Sequence, residues 1–381
     1  MSTYYQPRLA PRFFYALLLT FNPMKTLMFK TLNTNIMKTL KLILVVAIVI
    51  LTSSCQKEEI YNEPSNNHVA AGRTFLHPNI DLDFDLETTN SEMGGFASHS
   101  ITQFNDQLWL VGGDNNNTAP WTLHSEVWKS KNGKNWKLVT SNQFDNRKNH
   151  SLLVFKDKMW LIGGINNAGE ILSDIWNTTD GIHWNNVKSL NPLTDIGQNN
   201  SIVFNNRIYV FIGNNRQQQE VWSSSNGINW RMETNNAFPV RNHYKTIVYK
   251  NTLYIIGGWI RGGEFTNEVW ASTDGIHWHE NSPASTVFEN RINHTATVFE
   301  GKVWVIGGQS SNKLGARTFY GDVWYSNDMK YWYKYDKKQP LLKGLHSHES
   351  LLFNNKLWIF GGYRPDSSMS DILEDNIWSI E

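Results

Sequence analysis

The chain has 381 residues, of which 18% are charged and 13% aromatic, including 17 tryptophans. A formal net charge of +1 lacks the excess of positive charge that is typical of DNA- and RNA-binding proteins, which argues against a nucleic-acid-binding protein. No amphipathic helical pattern of any length follows residue 60, and this favours an all-β fold. The length exceeds one typical domain, but a closed ring of repeats is a single unit, so length alone does not divide the chain.

The N-terminal region has the layout of an export signal. We interpret residues 1–36, which show neither repeats nor turn signals, as unstructured or as an over-extended gene start, with Met37 as the initiator. The short basic segment Met37–Lys41 precedes an apolar run, Leu42–Leu51. That run is too short to span a bilayer, which needs about 20 residues, and it suits a signal-peptide core. Residues 37–54 are therefore predicted to be a signal peptide.

Cys55, the only cysteine of the chain, directly follows the small residues Thr52–Ser54. This arrangement resembles the bacterial lipobox, in which the signal is cut just before a lipidated cysteine, although Thr52 stands where the lipobox usually has leucine. The segment Gln56–Glu59 resembles the tag that sends some Gram-negative lipoproteins to the outer face of the outer membrane. The resemblance implies a surface-exposed outer-membrane lipoprotein anchored through Cys55, with residues 55–72 as a lipidated tether. The alternative is a buried, unmodified thiol.

From about residue 96 to the end, one unit recurs six times with a period of about 50 residues. Each unit has an apolar strand that ends in two glycines, or in Gly-Asn in the third unit, and then a strand with the dipeptide VW or IW. In the first five units another tryptophan lies eight residues further on. The glycine pairs are Gly112-Gly113, Gly163-Gly164, Gly257-Gly258, Gly307-Gly308 and Gly361-Gly362, with Gly213-Asn214 in the third unit. Asp-Gly and Asn-Gly dipeptides between the last two strands, as at Ser272–Gly275, predict tight hairpin turns.

These markers resemble the kelch repeat of the galactose oxidase/kelch-like propeller superfamily. The resemblance implies a six-bladed kelch-type β-propeller over residues 73–381, in which radial stacking buries both faces of each four-stranded sheet. The last unit ends just after its third strand, while Phe84–Asn90 lines up with Trp136–Asn142, the fourth strand of the first unit. We therefore predict that the N-terminal strand Leu82–Thr88 completes the last blade and closes the ring, which removes an open edge strand.

No catalytic residue is indicated by the sequence. Four first strands carry a histidine at one register position, namely His99, His150, His294 and His348. Equivalent positions of a six-fold ring lie too far apart for one ion, whose ligands sit about 2 Å away, so we predict no metal. Some kelch-like propellers are copper oxidases with a Tyr–Cys cross-link. Residues 73–381 contain no cysteine, so this chemistry is excluded and no cofactor is expected.

A ligand site is suggested by arginines and aromatic residues. Three residues before the histidine position stand Arg147, Arg241 and Arg291, with Phe96, Ile196 and Leu345 in the other blades. The kelch resemblance places this position and the loops after the glycines on one face around the central channel, where an arginine contacts ligand in some kelch adaptors. The alternative is an arginine paired with an acidic residue of the propeller. The loops after the glycines add Arg216, Trp259, Arg261, Arg317, Tyr363 and Arg364, which together could stack a sugar ring or hold a carboxylate.

The sequence thus predicts a monomeric binding module on the cell surface for a glycan, an acidic ligand or a partner protein. One alternative is a carbohydrate-active enzyme resembling the kelch propeller that epimerises sialic acid, and an acid/base pair converging in the channel would favour it. The other alternative is a structural surface scaffold, and a channel lined by apolar side chains would favour it.

Overall fold

The structure is a computed structural model that describes residues 80, 82–88, 91–115, 122–189, 191–198, 200–213, 218–281, 283–284, 287–335 and 343–381. All of them lie in one compact unit, Pro78–Glu381. The predicted signal peptide, Cys55 and the tether lie outside the described residues. Within the described ranges, no helix combines the length and the apolar character needed to cross a membrane.

Strands account for nearly all the regular structure of these ranges, apart from a short 3-10 helix at Ile196–Gln198. In chain order they are β1 (Phe84–Thr88), β2 (Ser100–Phe104), β3 (Gln107–Asp114), β4 (Leu123–Ser130), β5 (Lys137–Thr140), β6 (Ser151–Phe155), β7 (Lys158–Ile162), β8 (Ile175–Thr178), β9 (Asn185–Asn186), β10 (Asn200–Phe204), β11 (Arg207–Gly213), β12 (Gln219–Ser224), β13 (Arg231–Thr234), β14 (Arg241–Asn242), β15 (Lys245–Tyr249), β16 (Thr252–Ile260), β17 (Glu264–Ser272), β18 (His279–Glu280), β19 (Thr295–Phe299), β20 (Lys302–Ile306), β21 (Gln309–Ser311), β22 (Arg317–Phe319), β23 (Val323–Ser326), β24 (Tyr333–Lys334), β25 (Glu349–Phe353), β26 (Lys356–Phe360), β27 (Tyr363–Pro365), β28 (Asp371–Leu373) and β29 (Ile377–Ile380).

The strands form six antiparallel blades, each with four main strands. Blades 1, 2 and 3 are β2–β5, β6–β9 and β10–β13, blade 4 is β15–β18 with β14 added, and blade 5 is β19, β20, β23 and β24. Blade 6 is β25, β26, β29 and β1. The first strand of every blade contacts the first strand of the next, and β25 contacts β2, so the ring is closed. The hairpins β21–β22 and β27–β28 project from blades 5 and 6 after their double glycines.

The N-terminal strand closes the ring, as the sequence predicts. Strand β1 pairs antiparallel with β29, with Phe84 opposite Ile380 and Leu86 opposite Trp378. The backbone N–H of Leu82 donates to the Tyr335 hydroxyl of blade 5 at 3.0 Å, so the segment before β1 also contacts the neighbouring blade. The two ends of the chain therefore share one sheet, and the edge that blade 6 would otherwise expose is paired.

The hydrophobic core is divided into six main clusters, one between each pair of neighbouring blades. The cluster between blades 6 and 1, for example, combines Leu108 and Trp136 with Trp358 and Phe360. Side chains alternate between the two faces of a strand, so the apolar residues of an inner strand supply the clusters on both sides of the blade. No blade can bury its two apolar faces alone, and stacking around the ring is what stabilises them.

The predicted tight turns are present and lock neighbouring blades together. In blade 2 the Thr178 hydroxyl accepts the backbone N–H of Gly181 at 2.9 Å. Gly181 has φ +74°, and a Cβ there would overlap the indole ring of Trp109 in blade 1. Gly227 of blade 3 lies in the same way against Trp160 of blade 2. Glycine is needed at these turns both for the left-handed backbone and for the close approach of a neighbouring tryptophan.

Candidate functional site

The three arginines at the shared register position are buried and paired. Their side chains are 0% exposed, and each carries an acidic partner in its own blade. The pairs are Arg147–Asp174 at 2.7 Å, Arg241–Glu268 at 2.6 Å and Arg291–Asp322 at 2.7 Å. Each guanidinium also donates to the carbonyl of the first glycine of its blade, at Gly163, Gly257 or Gly307. These arginines are therefore paired within the propeller, and their side chains have no surface to offer a ligand.

A phenylalanine three residues before each arginine completes this motif. The guanidinium carbons lie 5.2, 5.7 and 5.2 Å from the ring centroids of Phe144, Phe238 and Phe288, which is cation–π distance. The acidic partner also accepts the indole N–H of the tryptophan two residues later, as at Asp174 and Trp176. Two sequence signals could therefore have revealed the pairing: the spacing Phe-x-x-Arg, and an acidic residue two positions before the third-strand tryptophan.

The remaining predicted ligand residues are spread over three blades. Arg216 lies outside the described residues. Trp259 is half-buried in β16, and Arg261 is exposed at the turn that follows it. Arg364 of β27 is 47% exposed and pairs with Glu374 at 2.6 Å. Arg317 and Tyr363 are linked through common neighbours.

These neighbours form a compact group, the blade 5–6 cluster: Arg317, Phe319, His346, Tyr363 and Asp371. The His346 ring is stacked between Phe319 and Tyr363, with ring centroids 5.4 and 5.5 Å away. The Arg317 guanidinium lies 4.4 Å from the ring centroid of Phe319 and donates to Asp371 at 2.9 Å. Asp371 is also 3.2 Å from Nε2 of His346. The cluster joins β22 to β28 and thus fixes the two hairpins to each other.

Within this cluster, Arg317 is the accessible charged group. Its side chain is 35% exposed, against 15% for Asp371 and 3% for His346. Nε and Nη2 of Arg317 donate to Gln309, and Nη2 also donates to Asp371. Its Nη1 group makes no hydrogen bond to any of the residues that the structure describes. The guanidinium is therefore held in place and still has donors for a ligand.

The protonation states of the cluster follow from burial and contacts. Burial alone would raise the pKa of Asp371, but hydrogen bonds from His346 and Arg317 outweigh it and hold that pKa below its usual value. Burial raises the pKa of the Tyr363 hydroxyl above its usual range, and the nearby Asp114 carboxylate reinforces this shift. At neutral pH Asp371 is thus ionised and Tyr363 protonated.

The four histidines at the shared register position are buried beside the double glycines. Burial, followed by the charges of nearby cations and histidines, lowers the pKa of His99 and of His150 to about 3, so both are neutral at physiological pH. His150 Nε2 lies 3.0 Å from the Val111 carbonyl of the preceding blade. Across the described ranges, no group of three or more His, Cys, Asp or Glu side chains is arranged to hold a metal ion.

A polar cavity of about 240 Å³ lies in the central channel. Hydroxyl, amide and imidazole side chains of the first strands and of the residues just before them make most of its wall. Lys245 of blade 4 and Glu349 of blade 6 both line it and form an ion pair at 2.7 Å, with side chains 24% and 26% exposed. The repeat pattern did not predict this ion pair, because the other blades have uncharged residues at the register position of Lys245 and Glu349.

Five residues of the cavity wall form what we call the channel ring: Ser98, Asn149, His243, Asn293 and Ser347. Each has a positive φ between 53° and 57°. The backbone N–H groups of Ser98, Asn149, Asn293 and Ser347 donate to the carbonyl of the ring residue in the preceding blade at 2.8–3.3 Å. The inter-blade hydrogen bonds hold these non-glycine residues in a conformation that L-amino acids rarely adopt.

Comparison with known proteins agrees with this architecture. Residues 178–362, which are 185 of the 381, match the family described as the KLHDC2/KLHL20/DRC7 kelch-repeats domain. An F-box/kelch-repeat protein of Arabidopsis thaliana is 37% identical over 105 residues, or 26% of this chain, and the match spans only 22% of that relative's length. The solved structure of YjhT matches with a TM-score of 0.59 at 13% identity, covering 77% of this chain and 96% of YjhT. At this identity the likeness shows the fold alone. Together with the closed ring of six blades, these matches show that the chain has a kelch-type β-propeller fold.

Proposed function

We propose that the protein is a binding module for a carboxylate-bearing glycan, which it engages at the blade 5–6 cluster. The observation that carries this proposal is the state of Arg317, which is fixed by Asp371 and Gln309, partly exposed, and supplied with unused donors. The Nη1 group, which is not engaged by Gln309 or Asp371, can donate a charge-assisted hydrogen bond to a ligand carboxylate. Because Asp371 and Gln309 hold Arg317 in place, binding costs little side-chain entropy.

Aromatic groups beside Arg317 suit the ring of a sugar. Phe319 is half-buried on β22, and Tyr320, the next residue, is also partly exposed. Stacking on such a ring adds apolar contact to the charge-assisted bonds of Arg317. The tips of the two hairpins are exposed, with Leu314 94% and Met369 53% exposed.

A binding experiment on sugar acids tests the site. The full chain and its Arg317→Gln variant would be screened on an acidic-glycan array and titrated calorimetrically. Each charge-assisted hydrogen bond is worth roughly 1.5–3 kcal/mol, so the variant should bind about 10- to 150-fold more weakly. The control is Arg231→Gln, which removes an exposed guanidinium paired with Glu233 on β13. Equal affinity of wild type and Arg317→Gln, or binding of a partner protein without any acidic glycan, would refute the proposal.

The proposal also includes surface display through a lipid on Cys55, as the sequence of residues 37–59 suggests. In cells labelled with palmitate, the wild type should take up label and partition with membranes. The Cys55→Ala variant should lose both properties. A variant that stays with membranes and keeps the label would show that another segment is the anchor.

The enzyme alternative has one observation in its favour, since Lys245 and Glu349 converge in the channel. These two side chains are engaged with each other in one ion pair, whereas acid/base catalysis requires a group positioned toward the substrate. The scaffold alternative called for an apolar channel, and the cavity wall is polar instead. Binding is therefore the function that the geometry favours.

A further inference from the structure

We infer that the channel cavity is a second binding site, separate from the blade 5–6 cluster, and that it takes a small uncharged molecule rich in hydroxyl groups, such as a polyol or a monosaccharide. The volume of the cavity limits the size of the ligand. A volume of about 240 Å³ lies below the roughly 300–1,000 Å³ of pockets for drug-sized ligands. A single sugar ring or a short polyol fits this limit, and an oligosaccharide does not.

The chemistry of the wall sets the second limit. Ser98, Ser100, Asn149, Ser151 and Asn293 are among the groups that line the cavity. Hydroxyl and amide side chains both donate and accept hydrogen bonds, which is what the hydroxyls of a polyol require. A ligand that reproduces the hydrogen bonds of the water in such a cavity can replace that water without losing affinity.

The charge of the cavity sets the third limit. Lys245 and Glu349 cancel each other at 2.7 Å. Burial lowers the pKa of His243 and takes that of His348 well below its usual value, and the deeper His99 and His150 are neutral as well. A wall without net charge would not compensate for the free energy needed to desolvate a charged ligand, so an uncharged ligand is favoured.

The channel ring gives an independent reason to expect a role for this cavity. Its five residues keep a left-handed backbone although they are not glycine, and L-amino acids rarely adopt this conformation. Strained residues of this kind cluster at ligand sites, where the surrounding structure holds them in place. Here the inter-blade hydrogen bonds hold the ring, and the ring residues line the cavity.

Cavity-filling variants provide the test. Ser98→His and Asn149→His place a larger side chain at the cavity, and His243 shows that this backbone conformation accepts histidine. Saturation-transfer NMR and calorimetry on the full chain would use glycerol, myo-inositol, glucose and glucuronate as probes. We expect saturable binding of at least one uncharged probe to the wild type, and at least tenfold weaker binding to each variant. Ser141→His, on the exposed segment after β5, should bind like the wild type.

The outcomes separate this inference from the proposed function. Arg317→Gln should leave binding of the uncharged probe unchanged, and Ser98→His should leave binding of acidic glycans unchanged. Absence of saturable binding by every uncharged probe would overturn the inference, as would undiminished binding in both filled variants. A preference for glucuronate that is lost in Lys245→Gln, or turnover of any probe, would also overturn it and would favour the enzyme alternative.

Discussion

Replacing Arg147 with methionine should cost stability and leave ligand binding intact. Its guanidinium is fully buried and donates to both carboxylate oxygens of Asp174 at 2.7 and 2.9 Å, and to two backbone carbonyls. Removing one partner of a buried ion pair costs about 3–5 kcal/mol. Because the Asp174 side chain is 25% exposed, water can solvate the stranded carboxylate. We therefore expect the free energy of unfolding to fall by about 3 kcal/mol, the lower end of that range.

Replacing the other partner of the pair, as Asp174→Asn, should lower the free energy of unfolding by more. It leaves a guanidinium that is 0% exposed without a counter-charge, so the loss should lie near the upper end, at about 5 kcal/mol. The double variant should be more stable than the sum of the two losses implies, by about 1–3 kcal/mol. Methionine is a suitable replacement because the same position is apolar in blade 1 (Phe96), blade 3 (Ile196) and blade 6 (Leu345).

Urea unfolding followed by circular dichroism and tryptophan fluorescence gives these values. Calorimetric titration with the glycan that binds the wild type serves as the functional control. The reasoning fails if Arg147→Met stays within about 0.5 kcal/mol of wild type, which is the scatter of neutral surface substitutions. It also fails if Asp174→Asn destabilises the fold less than Arg147→Met does. In that case the burial of the group left without a partner would not determine the loss of stability.

Three further predictions concern the pH dependence of the Arg147–Asp174 pair, a hairpin glycine and the closing strand. Hydrogen bonds from Arg147 lower the pKa of Asp174 although burial alone would raise it, so the pair stabilises the fold above the unfolded pKa of about 3.9. The stability gap between wild type and Arg147→Met should therefore close as pH falls below about 4 in acid titrations of unfolding. Gly181→Ala should cost about 3 kcal/mol or more because its Cβ meets an indole ring, whereas Gly262→Ala, with φ +123° and open space, should cost only the backbone strain. A chain starting at residue 95 should melt with low cooperativity and one starting at residue 73 like the full chain, and equal melting temperatures would contradict the role of the closing strand.

The repeat pattern made the fold predictable. Double glycines, third-strand tryptophans and hairpin glycines recur about every 50 residues, and the glycines lie where neighbouring blades touch. The closing strand was also predictable, because Phe84–Thr88 has the pattern of a fourth strand and the last unit lacks one. These features are local and repeated, so one sequence carries several copies of the same information.

The site was less predictable because its contacts join residues that do not repeat. The register of Arg147 was visible in the sequence, but its partner lies 27 residues away across a hairpin. The blade 5–6 cluster joins Arg317 to Asp371 over 54 residues, and Lys245 reaches Glu349 over 104. Each of these last two pairs occurs once in the ring, so comparison between the repeats gives no hint of it.

The difference between repeated and unique contacts also indicates where the proposed glycan site lies in this propeller. Position 147 and its equivalents are occupied in two chemical forms. One is arginine with an aromatic neighbour and an acidic partner, and the other is an apolar residue, as at Met93 and Phe96 between blades 6 and 1. Replacing a buried ion pair by apolar side chains is often neutral for stability, so the two forms can serve the same packing role. A position that tolerates both forms within one ring has no need of a ligand. Among the described residues, the hydrogen-bonded and ring contacts of Arg317 with Gln309, Phe319 and Asp371 occur once, and Arg317 is therefore the residue on which we base glycan binding.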